Sequence, residues 1–320
     1  MTFVTTDSSA AFSGRMAAAT SGVGKGNRED LSDIIYMIDP TETPLLTISK
    51  KKKAAAVTHE WLSDSLTTAA SNEQYEGALY ATRTMVAKTR YSNVCQISFI
   101  AYEVSKTQEA VSKVGIRSEI AYQAEKAMKE IKRDVNVDLW QNVTALTDTA
   151  DPTDTARECD GLHHIIPSAH TGDAAYALAA MTGDACEESF NAVLNDIYDG
   201  GPKSNMAFML PAVKRKVSKW TGVATKFFDQ EEKRLINVLS YYESDFGTVQ
   251  FIMDRQMMAY ADAGDAIVAG DFTNCAVALL RPFTNERIDV PKSAHAGVVE
   301  VEFTLEYGHP GSYGNLVVAT

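Results

Sequence analysis

The sequence predicts an α+β fold, because a long helical pattern and several strand patterns occupy separate stretches of the chain. Over residues 114–142, apolar side chains recur every three or four positions, as in a long amphipathic helix. Residues 299–307 instead alternate apolar and polar side chains, as in a strand with one face in a core and the other in water. This strand lies near the end of the chain, so it has to pair with strands far away in sequence.

Length and charge limit the classes of function that the chain can have. It has 320 residues and a formal net charge of -12 at pH 7. An acidic chain repels phosphate backbones, which argues against a general role in coating DNA or RNA. The length suits two domains or one large one.

Cysteine spacing and hydropathy indicate the cellular environment. The four cysteines are scattered and form no C-x-x-C pair, so we expect buried thiols in a reducing compartment. No apolar run approaches the roughly 18 residues of a membrane span, and the N-terminal residues do not form a signal-peptide pattern. We therefore expect a cytoplasmic protein with no membrane partner.

The first third of the chain is predicted to contain an arm, a short helix and two strands that flank a long loop. Residues 2–28 are polar and have few apolar side chains to bury. A short helix is predicted from Asp30, as its N-cap, to Ile38, with a turn at residues 41–44. Strand patterns follow around Val57, His59 and Trp61, and around Cys95, Ile97 and Phe99. The polar residues 62–93 between them are too long for an ordinary connection, which indicates a loop that lies on another molecule.

The remaining elements follow the 114–142 helix after a polar loop at residues 144–184. Four apolar residues predict a second helix that ends at Gly200: Phe190, Val193, Leu194 and Ile197. A buried strand at residues 207–210 leads into a helix that begins at Pro211. Strands are predicted at residues 247–253 and 275–281, and the 299–307 strand closes the chain.

Catalytic and cofactor motifs are not found in the sequence. The glycines at residues 22–26 fit neither phosphate-loop pattern, and no G-x-S-x-G elbow occurs. Cys159, His163, His164 and His170 could donate to zinc, but a second ligand pair at suitable spacing is missing. We expect no cofactor and no bound metal.

Two basic clusters could contact other subunits. They are Lys50, Lys51, Lys52 and Lys53, and Lys214, Arg215 and Lys216 with Lys219. One interpretation is a solvated loop and a solvated helix face. The other is that they meet acidic patches on neighbouring subunits, such as the face formed by Glu300, Glu302 and Glu306.

The order of these features resembles the major capsid proteins of tailed bacteriophages, which have the Hong Kong 97 type fold. The local sequence motifs are similar to those of the branch that includes phage SU-ten. The resemblance lies in the order and spacing of the following stretches: Asp30-Leu-Ser-Asp33, Asp39-Pro-Thr-Glu-Thr-Pro-Leu45, Glu60-Trp-Leu-Ser-Asp-Ser-Leu66, Tyr75-Glu-Gly77, Tyr242-Glu-Ser-Asp-Phe-Gly247 and Glu302-Phe-Thr-Leu-Glu-Tyr307.

The resemblance implies a division of the chain and a structural, non-enzymatic function. Its parts would be an N-terminal arm, an extended loop with its strands, a peripheral domain with a spine helix, an axial domain and a return to the peripheral domain. These correspond to residues 1–53, 54–104, 105–184, 185–270 and 271–320. The protein would assemble in the host cytoplasm, through pentamers and hexamers, into the icosahedral shell of a virion that encloses double-stranded DNA without sequence-specific binding.

The resemblance also implies partners and contact residues. A separate scaffolding protein, a portal and a decoration protein would join the homo-oligomer. On the extended loop the candidate contacts are Trp61, Asp64, Tyr75 and Tyr80, since aromatic side chains carry much interface energy. For Trp61, a core position at the base of the loop is an equal alternative.

Two other functions stay open on sequence alone. An encapsulin-type compartment uses the same fold to hold enzymes rather than a genome. A cytosolic zinc-dependent enzyme would use the cluster of Cys159, His163 and His164.

Overall fold

The computed structural model describes residues 37–320, except for 81, 83–84, 112, 114, 142, 148–155, 173–175, 178–183, 221–239, 258–264 and 320. Most of the predicted arm and of the helix from Asp30 lies outside the described residues. The last two residues of that predicted helix, Met37 and Ile38, are described and are not helical.

The first elements surround the long loop. Helix α1 (Pro44–Ile48) begins at a proline, which is preorganised for a first helical position. Strands β1 (Lys50–Lys53) and β2 (Thr58–Ser63) follow. The chain returns through β3 (Thr89–Val94), β4 (Gln96–Ser105) and the short helix α2 (Lys106–Ala110). The predicted loop is therefore confined to residues 64–88, because both strands extend into its ends.

The long helix α3 is Glu119–Trp140, which is 22 residues and about 33 Å. It is shorter than the predicted 114–142. Gly115 has a φ of 73°, and the side chain of Ser118 caps the helix by accepting from the backbone N–H of Ala121. Both features place the helix start after residue 115. On its surface Lys129 Nζ lies 2.6 Å from Glu125 Oε1, an ion pair between residues one helical turn apart.

The middle of the chain contains both predicted helices and the predicted strand. The elements in order are α4 (Leu162–Ile165), β5 (Tyr176–Ala177), α5 (Asp184–Asp199), β6 (Met206–Met209), α6 (Pro211–Val217), β7 (Tyr241–Ser244) and β8 (Gly247–Met253). Helix α5 ends before Gly200 and Gly201, and α6 begins at Pro211, both as predicted.

The last strands are longer than predicted, and one more follows them. They are β9 (Asp265–Gly270), β10 (Ala276–Ile288), β11 (Ala294–Glu306) and β12 (Tyr313–Ala319). The prediction that the 299–307 strand closes the chain is wrong. A 3₁₀ turn at Pro310–Ser312 redirects the chain into β12.

The described strands form three sheets. One has the order β1-β10-β11-β4, with β1 parallel to β10 and the other pairs antiparallel. A second has the order β5-β12-β9-β6-β8-β7, and β2 pairs with β3 alone. Strand β12 thus returns to the second sheet, whereas β10 and β11 belong to the first. The predicted pairing of the chain end with early strands is realised by β11 and β4, with Glu300 opposite Phe99.

The core has two main clusters, one for each large sheet. Helix α3 packs on β4 and β11, and the buried residues there include Ile131, Val135, Leu139, Val299, Val301, Phe303 and Leu305. Helices α5 and α6 cover the six-stranded sheet, and the buried residues there include Phe190, Val193, Leu194, Ile197, Val213, Val217 and Trp220. The four apolar residues that predict α5 therefore all lie in these clusters, as do the apolar residues of the 299–307 strand and of the second half of α3.

All four cysteines are free and buried, as predicted. Among the helices of the described residues, none combines the length and the apolar character needed to cross a membrane.

Candidate subunit interface

The extended loop leaves the body of the molecule on the β2–β3 hairpin. The hairpin runs from the pair Thr58 and Val94 to the pair Ser63 and Thr89. Its side chains alternate between half-buried and exposed along β2, because one face of the hairpin lies against the end of β11.

Trp61 anchors the hairpin to the body through a hydrogen bond and ring contacts. Its Nε1 donates to the carbonyl of Gly308 at 2.7 Å. Its ring meets that of Tyr307 edge to face, with centroids 4.8 Å apart, and Tyr91 lies beside both rings. Trp61 is thus placed at the loop base and packs within its own chain, while a contact with a neighbouring subunit stays a prediction.

Glu306 holds β1 and β2 to β11. Its carboxylate accepts from Lys52 Nζ at 2.7 Å and lies 3.0 Å from His59 Nε2, and only 8% of the residue is exposed. Burial on its own would raise the pKa of Glu306, but the hydrogen bonds from Lys52 and His59 hold that pKa below its ordinary value. The contacts of Glu306 with Lys52 and His59 therefore fix the hairpin base to the four-stranded sheet.

Glu300 and Glu302 form ion pairs with arginines of the same chain. Arg281 lies 2.6 Å from Glu300 and 2.9 Å from Glu302, and Arg157 lies 2.9 Å from Glu302. Glu302 is only 5% exposed and Thr304 is fully buried. The expectation that this face of β11 lies in water is therefore wrong from Glu302 onwards, because charged side chains of the same chain cover it. Sequence reasoning missed Arg157 and Arg281, which are distant in sequence from the glutamates.

The first basic cluster is an edge strand rather than a loop. Lys50, Lys51, Lys52 and Lys53 form β1 at the edge of the four-stranded sheet, and all four are exposed. The side chain of Lys51 is exposed overall, but its ammonium donates to the carbonyl of Leu46 in a partly buried position, and this loss of water lowers its pKa. Lys50 and Lys53 form no ion pair with any residue that the structure describes.

The second basic cluster lies on helix α6 and at its end, and its members differ in exposure. Lys214 is only 7% exposed, and its Nζ lies 4.6 Å from the ring centroid of Phe251. Burial lowers the pKa of Lys214 to about 8. The interpretation of this cluster as a solvated helix face is thus wrong for Lys214 and fits Arg215, which is exposed.

The described residues of the 64–88 loop lie outside any helix or strand and carry exposed apolar side chains. A turn at their centre has Gly77 at a φ of 84°, with the N–H of Ala78 donating to the carbonyl of Tyr75 at 3.1 Å. Tyr75 is 78% exposed and Tyr80 is fully exposed. Asp64 is also exposed and accepts from the N–H of Ser65.

Several exposed apolar residues were not singled out from the sequence. On the loop these are Leu66, Leu79 and Met85, each more than nine-tenths exposed. The sequence could have identified these three residues, because they are large apolar residues in a polar stretch that has no helix or strand periodicity. On β4, Phe99 is 67% exposed on the sheet face opposite α3.

The residues considered for zinc do not converge. Cys159 is fully buried, and burial raises the pKa of its thiol. His163 packs on Trp140, His164 lies 2.7 Å from Asp160, and His170 lies 3.1 Å from the carbonyl of Tyr313. In the part of the chain that the structure describes, no three metal-binding side chains are grouped to hold an ion.

Comparison with known proteins places this architecture in a class. An α+β subunit with a long spine helix, a hairpin that carries an extended loop and two mixed sheets has the Hong Kong 97 type capsid fold. The model of the family described as SU10 major capsid protein matches residues 15–320. The chain belongs to this family, and the resemblance noted in the sequence is confirmed.

Individual relatives are more distant. The major capsid protein of Escherichia phage Phieco32 is 30% identical over 111 residues, which span 34% of this chain and 32% of that protein. The match thus covers about a third of the relative's length. Among solved structures, a chain of Gordonia phage Cozz has a TM-score of 0.63 at 14% identity and covers 93% of both chains. A chain of Mycobacterium phage Bobi has a TM-score of 0.65 at 10% identity and covers 94% of this chain and 98% of that one.

A capsid particle also has this fold. The structure described as the capsid of a native GTA particle has a TM-score of 0.63 at 16% identity, covering 95% of this chain and 99% of that one. The protein is a structural major capsid protein of a phage, and its place is the capsid of the virion. The alternative of a zinc-dependent enzyme is thus wrong.

Proposed function

We propose that this protein assembles through pentamers and hexamers into an icosahedral shell that encloses double-stranded DNA. The observation that carries the proposal is the loop between β2 and β3, whose described large apolar side chains are exposed and are not covered by any other described part of the chain. Exposed aromatic and aliphatic groups in a polar loop favour burial against another protein. Membership of a capsid family supports a second copy as that protein.

The same proposal divides the chain by role. The arm would be residues 1–53, the extended loop with its strands 54–104, the peripheral domain 105–184 and 271–320, and the axial domain 185–270. The axial domain would meet its copies around the fivefold and sixfold axes. A separate scaffolding protein, a portal and a decoration protein are proposed as partners.

The test is the size distribution of the purified protein. Velocity sedimentation and electron microscopy of one sample are carried out with and without a co-expressed scaffold candidate. Closed shells, or rings of five and six, are expected. A stable monomer under both conditions would contradict the proposal.

A loop deletion makes the test specific. Residues 66–86 are replaced by a short Gly-Ser linker, which leaves the β2–β3 hairpin and the contacts of Trp61 in place. The variant is expected to keep its circular dichroism spectrum and to form no shells. Shells of normal size from this variant would show that the loop is dispensable.

A further inference from the structure

The connection between β11 and β12 is a place where the chain passes from the four-stranded sheet to the six-stranded sheet. It consists of residues 307–312 and contains the 3₁₀ turn Pro310–Ser312. The N–H of Ser312 donates to the carbonyl of His309 at 3.1 Å, and the carbonyl of Ser312 accepts from the N–H of Asp271 at 3.0 Å. This turn therefore sets the path of the chain between the two sheets.

His309 caps the turn with its side chain. Its Nδ1 accepts from the N–H of Gly311 at 3.0 Å. Because a backbone N–H can only donate, Nδ1 carries no proton, and the ring is neutral with its proton on Nε2. Gly311 is buried, so loss of the cap would leave a buried donor without an acceptor.

A second histidine lies against the same glycine. His170 Nδ1 lies 3.1 Å from the carbonyl of Tyr313, and this nitrogen carries the proton because a carbonyl can only accept. A Cβ at Gly311 would lie 2.9 Å from Cε1 of His309 and 3.6 Å from Cε1 of His170. Both rings are thus beside the turn, and a proton added to each would bring two positive charges close together.

The surroundings of His309 favour its neutral form. The ring of Tyr91 meets that of His309 edge to face, with centroids 5.9 Å apart. Burial of the imidazole, followed by the charge of His170, holds the pKa of His309 below its ordinary value of 6.5. The residue as a whole is nevertheless exposed, so protons from the solvent can reach the ring.

Other charged groups near His309 belong to two places. One is the cleft between the β2–β3 hairpin and the turn after α5, whose charged lining residues beside His309 are Lys50, Lys52, Asp64 and Glu306. The two lysines of this cleft balance its two carboxylates. The other is the turn between β9 and β10, where the carboxylate of Asp271 accepts from Asn274 Nδ2 at 3.0 Å. His170 is thus the neighbour whose charge acts on His309.

We infer that this turn is a pH-sensitive switch in the connection between the two large sheets, whose cap forms while His309 is neutral and is lost when its Nδ1 is protonated. Protonation removes the acceptor of the Gly311 N–H and places a positive charge beside His170. The same turn holds the hairpin, because the carbonyl of Gly308 accepts from Trp61 Nε1. The inference concerns the single subunit and goes beyond the proposed function.

The direction of the pH dependence follows from the lowered pKa of His309. The stabilisation from the cap is complete above the unfolded-state pKa of about 6.5. It is lost as the pH falls through the lower pKa of the folded protein, because the unfolded chain then binds the proton more readily. Acid therefore loosens the turn.

Hydrogen exchange of the unassembled full chain tests this switch. Mass spectrometry follows peptides that cover residues 307–316 at about pH 7.5 and about pH 5, with labelling times scaled for the slower chemical exchange in acid. Protection of this segment in the wild type is expected to fall about tenfold in acid. His309→Asn is expected to stay protected at both pH values, because asparagine caps a helical turn without titrating.

Three controls make the exchange measurement specific. His309→Ala has no acceptor and is expected to show low protection at both pH values. His295→Asn is the matched histidine control, because His295 lies at the opposite end of β11 and its loss should leave the wild-type response unchanged. Peptides of α3 are the internal reference for global opening.

Two kinds of result would overturn the inference. One is unchanged protection of residues 307–316 in the wild type at acid pH. The other is a loss that is not specific, either equal in the wild type and His309→Asn or equal in residues 307–316 and α3.

Imidazole ¹⁵N spectra provide an independent measurement. In protein labelled at histidine, the signals that are absent from His309→Asn belong to His309. We expect the Nε2–H tautomer at neutral pH and a titration midpoint below 6.5. An Nδ1–H tautomer, or a midpoint at or above 6.5, would contradict the switch.

Discussion

At the scale of single residues, a buried carboxylate links the spine helix α3 to the end of β8. Asp254 is fully buried at the end of β8 and accepts from Asn136 Nδ2 and Trp140 Nε1, both at 2.9 Å, and from the N–H of Gln256. Asn136 also accepts from the N–H of Leu46. These bonds connect α1, α3 and β8, because a buried charge needs several donors to compensate for its lost hydration.

We expect Asp254→Ala to lower the free energy of unfolding by about 3 kcal/mol, since it leaves buried donors without an acceptor. Urea unfolding of the unassembled protein measures this change. Asp289→Ala is the control, because Asp289 is exposed. Equal effects of the two substitutions would show that the Asp254 network contributes nothing.

Glu306 predicts a pH dependence. Its pKa in the folded protein lies below the ordinary value of 4.5, so its ionised form stabilises the fold at neutral pH and this contribution is lost as the pH falls through the folded pKa. We expect Glu306→Gln to cost about 1 kcal/mol at pH 7 and less at about pH 3.5. Urea unfolding of wild type and variant at both pH values provides the comparison. A cost that does not shrink in acid would be inconsistent with this assignment.

At the scale of elements, the spine helix α3 shows why periodicity identifies a helix better than it locates its ends. The buried positions of its second half, Ile131, Val135 and Leu139, follow the predicted spacing. The start was placed too early because Ile116 continued the apolar spacing, whereas Gly115 and the Ser118 cap decide where the backbone becomes helical.

Ile131→Ala is expected to destabilise the protein by about 3 kcal/mol, since it removes buried methyl groups between α3 and the four-stranded sheet. Lys132→Ala, one position further on the exposed face, is expected to change stability by less than about 0.5 kcal/mol. Thermal or urea unfolding gives both values. Similar costs for the two variants would contradict the packing of this face.

Strand β4 illustrates a limit of alternation patterns. The sequence places Ile97 and Phe99 on one face and Gln96 and Ser98 on the other, a pattern that favours the apolar face as the covered one. In the structure α3 covers the side of Ile100 and Val104, and Phe99 points outward. The packing of α3, which sequence alternation does not encode, decides the orientation.

At the scale of the whole molecule, the loop of residues 64–88 couples one subunit to an assembly. We expect the combined substitutions Tyr75→Ser and Tyr80→Ser to leave the free energy of unfolding of the subunit unchanged, because both rings are exposed. Shell yield is expected to fall about tenfold, because aromatic groups carry much interface energy.

Sedimentation and urea unfolding of this double variant separate the two effects. Ser65→Ala with Thr68→Ala is the control, because it changes exposed polar groups of the same loop. An unchanged shell yield for the tyrosine variant would show that neither ring contributes to the interface.

The sequence by itself determined the α+β class, the three longer helices and several of the strands, much of the core and, through ordered motifs, the family. These properties depend on local periodicity and on spacing along the chain. Only the tertiary structure decided that Glu302 is buried beside Arg157 and Arg281. It likewise decided that Glu306 is buried beside Lys52 and His59. The position of Lys214 over Phe251 was decided in the same way. The tertiary structure also decided that β12 joins the second sheet. Those contacts join residues far apart in the chain, so their partners depend on how sheets and helices pack.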